Sequence, residues 1–319
     1  MSISRWFAAA ALMWVAMLCP NPARAQQNLV TFVSHAGLDT NDCTNMGSAC
    51  LTFNHAYAQT SPGGTIYCLD SGDFGGNGLT ITTSVTIDCT GANGKAIATL
   101  GRNAFNINGA GIVVIFRGLN IDGFGSSGQG AIGINVIQAA AVQLEGCAIS
   151  RFQTDASQGI RIAPASGFTT VTITDTFVDS NGLGIFVLGG NGLLMTLKRV
   201  TMANNTFGGF RASGAGSGVF ANIVDSIANN NGTNGFVATS PAGGSAVVLD
   251  IQHSGASLNQ QAGILADGAA ASITIGASTV TANSTGLART NGGAILSYGD
   301  NRVDNNSSNG SPSGGVGTM

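Results

Sequence analysis

Charge is scarce in this sequence. Asp, Glu, Lys and Arg together make up 8% of the residues, where an ordinary soluble domain carries about 25%. A surface with so few ions must be coated by Ser, Thr, Asn, Gln and Gly, and Gly alone supplies 48 of the 319 residues. Such a coat suits stacked strands, because like charges on neighbouring strands would sit only about 4.8 Å apart. The small excess of charge is acidic, with a formal net charge of −3, which disfavours nucleic acid or an anionic membrane surface as the main partner. Also missing are a C-x-x-C pair, a Cys/His cluster and, after residue 25, any apolar run long enough to cross a bilayer. A zinc site and a membrane span are therefore not expected, nor is any other metal or cofactor.

The first 25 residues read as an export signal. Arg5 gives a positive start, Trp6 to Leu18 an apolar run too short to span a bilayer, and Ala23-Arg24-Ala25 a small-residue cleavage site. Met17-Leu18 before Cys19 does not fit lipoprotein processing, so Gln26 is the expected mature start. Loss of Arg5 and Arg24 takes the net charge of −3 to about −5. The protein is expected to be secreted or periplasmic.

From Gly159 to Gly310 a pattern repeats. The junctions Gly159-Ile160, Gly184-Ile185, Gly209-Phe210, Gly235-Phe236, Gly263-Ile264 and Gly286-Leu287, closed by Gly310, are 25, 25, 26, 28, 23 and 24 residues apart. β-Branched residues alternate with Thr and no helical run intervenes, which is the signature of a solenoid of strands. Each rung takes three strands. The first ends on Val171-Thr172-Ile173, Met195-Thr196-Leu197, Val247-Val248-Leu249 and Ile273-Thr274-Ile275; the second carries Val178, Met202, Ile227, Val280 and Val303; the third begins after each Gly. Three residues beyond those second-strand positions come Asn181, Asn205, Asn230, Asn283 and Asn306, with Asn259 in the longest rung. Stacked at one turn, these amides predict an asparagine ladder.

The amino-terminal part reads as a cap. Thr52 precedes Phe53, Ala56 and Tyr57 at helical spacing, predicting a short capped amphipathic helix over the open end of the core. An oxidising compartment suits the five remaining cysteines. Cys43 and Cys50 flank a short polar loop and are expected to close it. Cys68 and Cys89 end matching frames, Thr65-Ile66-Tyr67-Cys68 and Thr86-Ile87-Asp88-Cys89. On successive rungs they are close enough for a disulfide or for two stacked core thiols. Cys147 is left over and expected to be buried.

Gly37 with Asp39, Cys50-Leu51-Thr52-Phe53, Gly63-Gly64-Thr65-Ile66, Leu69-Asp70 with Gly72, and Ser84-Val85-Thr86-Ile87 together resemble the opening of right-handed parallel β-helix proteins of the pectin-lyase-like superfamily. The resemblance implies an all-β, single-stranded solenoid of three short strands per coil behind an N-terminal capping helix. About ten coils are expected, with residues 26–310 forming the β-helix, 26–64 its cap, 311–319 a disordered tail, and the whole a monomer. It also implies a substrate groove on the exposed face of the first strand. The lyases of this fold use calcium-binding carboxylates with a basic proton acceptor, and its hydrolases use paired aspartates. Neither set is legible: there is no Asp-Asp pair, Gly-His-Gly or Arg-x-Pro-x-x-Arg, and Asn120-Ile121-Asp122 stands alone.

Two groups of candidates remain. Asp175, Lys198, Arg199, Asp225 and Asp250 are expected at or just after the end of the first strand on neighbouring rungs, as a catalytic or binding cluster or as a surface charge ladder. Arg161, Phe186 and Arg211 are expected to face outward on successive third strands, where a cation-aromatic-cation column would suit a sugar ring. His35, His55 and His253 lack ligand spacing, and Asp39-Thr40-Asn41-Asp42 lacks the later acid of a calcium loop. An adhesin passenger is disfavoured because no translocator barrel follows Gly310. The reading that results is a non-catalytic exported module binding a polysaccharide or cell-surface glycan, with a polysaccharide lyase or glycoside hydrolase as the alternative.

Overall fold

Within Thr169–Thr174, Val171 and Ile173 are buried while Thr170, Thr172 and Thr174 face outward, as period-two alternation requires of a strand with one face in a core. A computed structural model describes residues 28–125, 130–154, 156–190 and 192–317; the expected export signal lies outside them. Three parallel sheets wind into a solenoid of about nine turns, where about ten were expected. A twelve-stranded first sheet runs from Val30–Val33 to Gly314–Gly315, a ten-stranded second from Gly72–Asp73 to Arg302–Asp304, and a nine-stranded third from Leu79–Ile81 to Thr285–Thr290.

Like residues stack in the core. Ile87, Phe116, Leu144, Ile173, Leu197, Ile223, Ile251 and Ile275 follow one another up the first sheet, and all are essentially inaccessible. Each such burial is worth about 1.5–3 kcal/mol. The expected inward residues Ile160, Ile185, Phe210, Phe236, Ile264 and Leu287 are likewise buried in the third sheet. The preceding glycines lie just inside these strands rather than before them. A Cβ at Gly184 would meet the Gly209 carbonyl oxygen at 2.5 Å and Asn205 Nδ2 at 3.0 Å, so glycine here leaves room first for the backbone of the next coil and then for the ladder asparagine.

The asparagine ladder is present with one member different. Asn181 Nδ2 donates to Asn205 Oδ1 (3.2 Å), Asn205 to Asn231 (3.0 Å), Asn231 to Asn259 (2.9 Å), Asn259 to Asn283 (2.9 Å) and Asn283 to Asn306 (2.9 Å). Asn309 Oδ1 closes the series by accepting from Asn306. Asn230, expected in the ladder, is exposed at the corner with φ 52° and bonds Asn204 instead. The slip has one origin: Ile227 faces outward, 44% exposed, and the small Ala228 takes the core position, so counting three onward gives Asn231. A second ladder is built from serines. At the buried corner after the first sheet, Ser226 N donates to Ser254 Oγ and Ser254 N to Ser278 Oγ, each at 3.1 Å.

The amino-terminal end is capped by a helix, and the carboxy-terminal end is covered in part by a last strand on the first sheet. Helix Phe53–Gln59 has Thr52 as its N-cap, accepting from His55 N at 3.2 Å, and buries Phe53 and Ala56. Tyr57 Oη accepts from Thr82 N (2.8 Å) and Thr83 N (2.9 Å), tying the helix to the next coil. Disulfides join Cys43 to Cys50 and Cys68 to Cys89, with Cα separations of 5.0 and 4.7 Å, and Cys147 is buried. Beyond Gly310 the chain does not trail away as expected. Gly314–Gly315 pairs with Ala294–Ser297, and Ser313 Oγ accepts from Ile295 N at 2.9 Å.

Candidate functional site

Because strands stack in register, each outward position becomes a column up the solenoid. The first sheet carries three. Thr170, Leu194, Phe220 and Val248 form one; Thr172, Thr196, Asn222, Asp250 and Thr274 the next; Thr174, Lys198, Val224 and Gln252 the third. The outermost column is apolar at its centre, with Leu194 and Phe220 both 45% exposed and Phe168, in the loop before, 57% exposed. This wall therefore sets an apolar stripe beside a stripe of hydroxyls, an amide and a carboxylate. The signal was in the sequence: Leu193-Leu194-Met195 is apolar at both parities of its strand, so one residue had to face water.

The charged candidates edge this wall. Asp175, Arg199 and Asp225 occupy the corner that ends the first sheet, all with φ between 51° and 53°. The bend requires that left-handed conformation, which costs a non-glycine residue about 1–2 kcal/mol. Arg199 donates from Nε and Nη2 to the two Asp175 carboxylate oxygens at 2.6 and 2.7 Å, and its guanidinium holds the Asp175 carboxyl below the usual carboxylate range. Lys198 is the last strand residue before the corner. Asp250 is not at the corner. It lies within Val247–Gln252, level with Asn222 and Thr274, and accepts from Gln252 Nε2 at 2.6 Å. The corner position of that rung belongs to His253, φ 50°, which sequence spacing gave no reason to select. The strand expected to end on Val247-Val248-Leu249 runs on to Gln252, so the turn comes three residues later.

On the third sheet Arg161, Phe186 and Arg211 do occupy one outward column on successive strands, continued by Val237 and Leu265. Arg161 Nη1 donates to Asn135 Oδ1 at 3.2 Å. Arg211, Val237 and Leu265 line an open groove of about 370 Å³ together with Phe207 and Asp267.

Other acidic motifs are engaged structurally. Asp122 is buried and ion-paired to Arg151, and also accepts from Phe124 N at 2.9 Å. Asp39 Oδ1 accepts from Leu51 N and Thr52 N, and Oδ2 from Thr52 Oγ1 at 2.8 Å, so its carboxylate fastens the cap. Cys43, Cys50 and His55 bring three metal-ligating side chains within 4.8 Å, but the disulfide consumes both thiols.

With this geometry established, solved structures give a match. The crystal structure of pectate lyase Pel9A superposes with a TM-score of 0.65 at 17% identity, over 84% of this chain and 74% of that one. The chain has the pectate lyase β-helix fold. At this identity the likeness concerns the fold and not the site. No protein-family model and no curated protein matches the sequence. Among the described residues of the β-helix, no helix is long and apolar enough to cross a membrane.

Proposed function

We propose that this protein is exported and binds a polysaccharide chain along the outer face of its first sheet. The observation that carries the reading is the apolar stripe of Phe168, Leu194 and Phe220 beside the polar column Thr172, Thr196, Asn222, Asp250 and Thr274. A pyranose has an apolar C–H face and a rim of hydroxyls, so a chain laid on this wall meets matching chemistry at both. Each hydrogen bond replaces one to water and adds little, and affinity must then accumulate over many rungs. The ion pair between Asp175 and Arg199 frames one edge and commits those two groups to each other.

Cleavage is the second reading, favoured by the fold shared with a pectate lyase and by exposed Lys198, Asp225 and His253 at the same edge. A base and an acid beside a sugar wall are the minimum that lyase or hydrolase chemistry needs. The two readings separate in one experiment: retention of the mature protein on a glycan array and on insoluble polysaccharides, run beside assays for new reducing ends and unsaturated products. Binding predicts retention without product and at least a tenfold loss of retention in Phe220→Ala. Steady product formation that disappears in Lys198→Ala, Arg199→Ala or Asp225→Ala would overturn binding in favour of catalysis.

A further inference from the structure

The groove on the third sheet lies on a different wall from the first-sheet stripe, and its lining is made differently. Half-buried Leu265, with the 7% exposed Val237 in register beside it, gives an apolar floor, and Phe207, 39% exposed, gives it one side. Two charges stand at opposite corners. Arg211 is level with the floor column, while Asp267 follows Thr239 in the neighbouring outward column. Two rungs and two residues separate them, which places their Cα atoms roughly 12 Å apart, about the reach of a disaccharide.

Part of the hydrogen-bonding capacity of these groups is left free. Among the described residues Arg117, Arg151, Arg199 and Arg302 each pair with a carboxylate, whereas Arg211, like Arg102, Arg161 and Arg289, does not; of these Arg211 alone lines this groove. Asp267 Oδ1 accepts from Thr290 Oγ1 and Asn291 Nδ2, both at 2.7 Å, which fixes the carboxylate while Oδ2 has no partner among the described residues. Asn234 Oδ1 accepts from Ala262 N at 2.9 Å, leaving its amide N–H groups available beside the floor. A guanidinium without a carboxylate suits an anion, because charge-assisted bidentate bonding exceeds what a neutral hydroxyl offers it. The groove's volume of about 370 Å³ is within the range of small-ligand sites.

We propose that this groove is a second ligand site, taking a short oligosaccharide with one anionic substituent: the anion on Arg211, the sugar face on Val237 and Leu265, and a hydroxyl donated to Asp267. It is independent of the first-sheet reading, since the two walls share no residue.

Isothermal titration of the intact mature protein with cellobiouronic acid and with cellobiose tests it. The acidic disaccharide is expected to bind at least ten times more tightly than the neutral one at low salt. Arg211→Gln is expected to erase that preference while melting like the parent protein, and added salt to shrink it. Phe220→Ala, on the first sheet, is expected to leave it intact. Equal affinity for the two sugars, no binding of either, a preference that survives Arg211→Gln, or one abolished by Phe220→Ala would each overturn the proposal.

Discussion

Asn231 and Asn230 are adjacent, yet they belong to different environments. Asn231 accepts from Asn205 through Oδ1 and donates to Asn259 and to the Met202 carbonyl, all out of contact with water. Removing its side chain leaves buried donors and acceptors unpaired, and Asn231→Ala is expected to cost about 1–3 kcal/mol. Asn230→Gly, which keeps the left-handed backbone, is expected to change stability by about 0.5 kcal/mol or less. Denaturant unfolding of the two variants checks this; equal losses would contradict the ladder's register. Cys147 gives a residue-scale pH prediction. Burial pushes its thiol up from 9.0 to about 11, so the folded state favours the protonated form. That contribution to stability is fully present below the ordinary thiol pKa and is lost as the pH rises through about 11. The thiol is expected to ignore reagents in the native protein and to react once it unfolds, as a colorimetric thiol assay would show.

The capping helix depends on a few tertiary contacts for its stability. It has two turns, too short to persist alone, and is held by the burial of Phe53 and Ala56, the Thr52 cap and the Tyr57 hydroxyl. Tyr57→Phe keeps the ring but removes the acceptor for Thr82 N and Thr83 N, with an expected loss of about 1 kcal/mol. Hydrogen exchange should report it at Thr82 and Thr83 first, and a variant with parental protection there would show that the ring alone anchors the helix. This element was readable because its signals are local: a capping Thr and apolar residues at helical spacing. The corner residues were only partly readable. Asp175, Arg199 and Asp225 follow their strands at constant spacing, whereas the strand expected to end at Leu249 runs on to Gln252, which leaves Asp250 within it and brings His253 to the bend.

For the molecule as a whole, each coil touches only its neighbours, so stability is a sum of coil and interface terms. The central coils, with Phe210 and Phe236 in register on adjacent strands and fully buried, are expected to exchange amide hydrogens most slowly. The last strands, Thr285–Thr290 and Arg302–Asp304, each lack a full strand on one side and are expected to exchange fastest. Uniform protection along the axis would indicate a single cooperative unit instead. Phe236→Ala, which opens a cavity between two coils, is expected to cost about 3–5 kcal/mol and to lower protection on both sides of it.

The sequence by itself determined the solenoid, its period, the inward residues after each glycine, the cap and the pairing of Cys43 with Cys50, because all of these follow from spacing along the chain. It placed Arg161, Phe186 and Arg211 in one column for the same reason. The tertiary structure alone decided which of two adjacent residues enters the core at Ile227-Ala228, and with it which asparagine joins the ladder. It also decided the walls. Leu194 and Phe220 become neighbours, and Arg211 and Asp267 come to line one groove, only when coils stack about 4.8 Å apart, bringing together residues that the chain keeps more than two dozen positions apart.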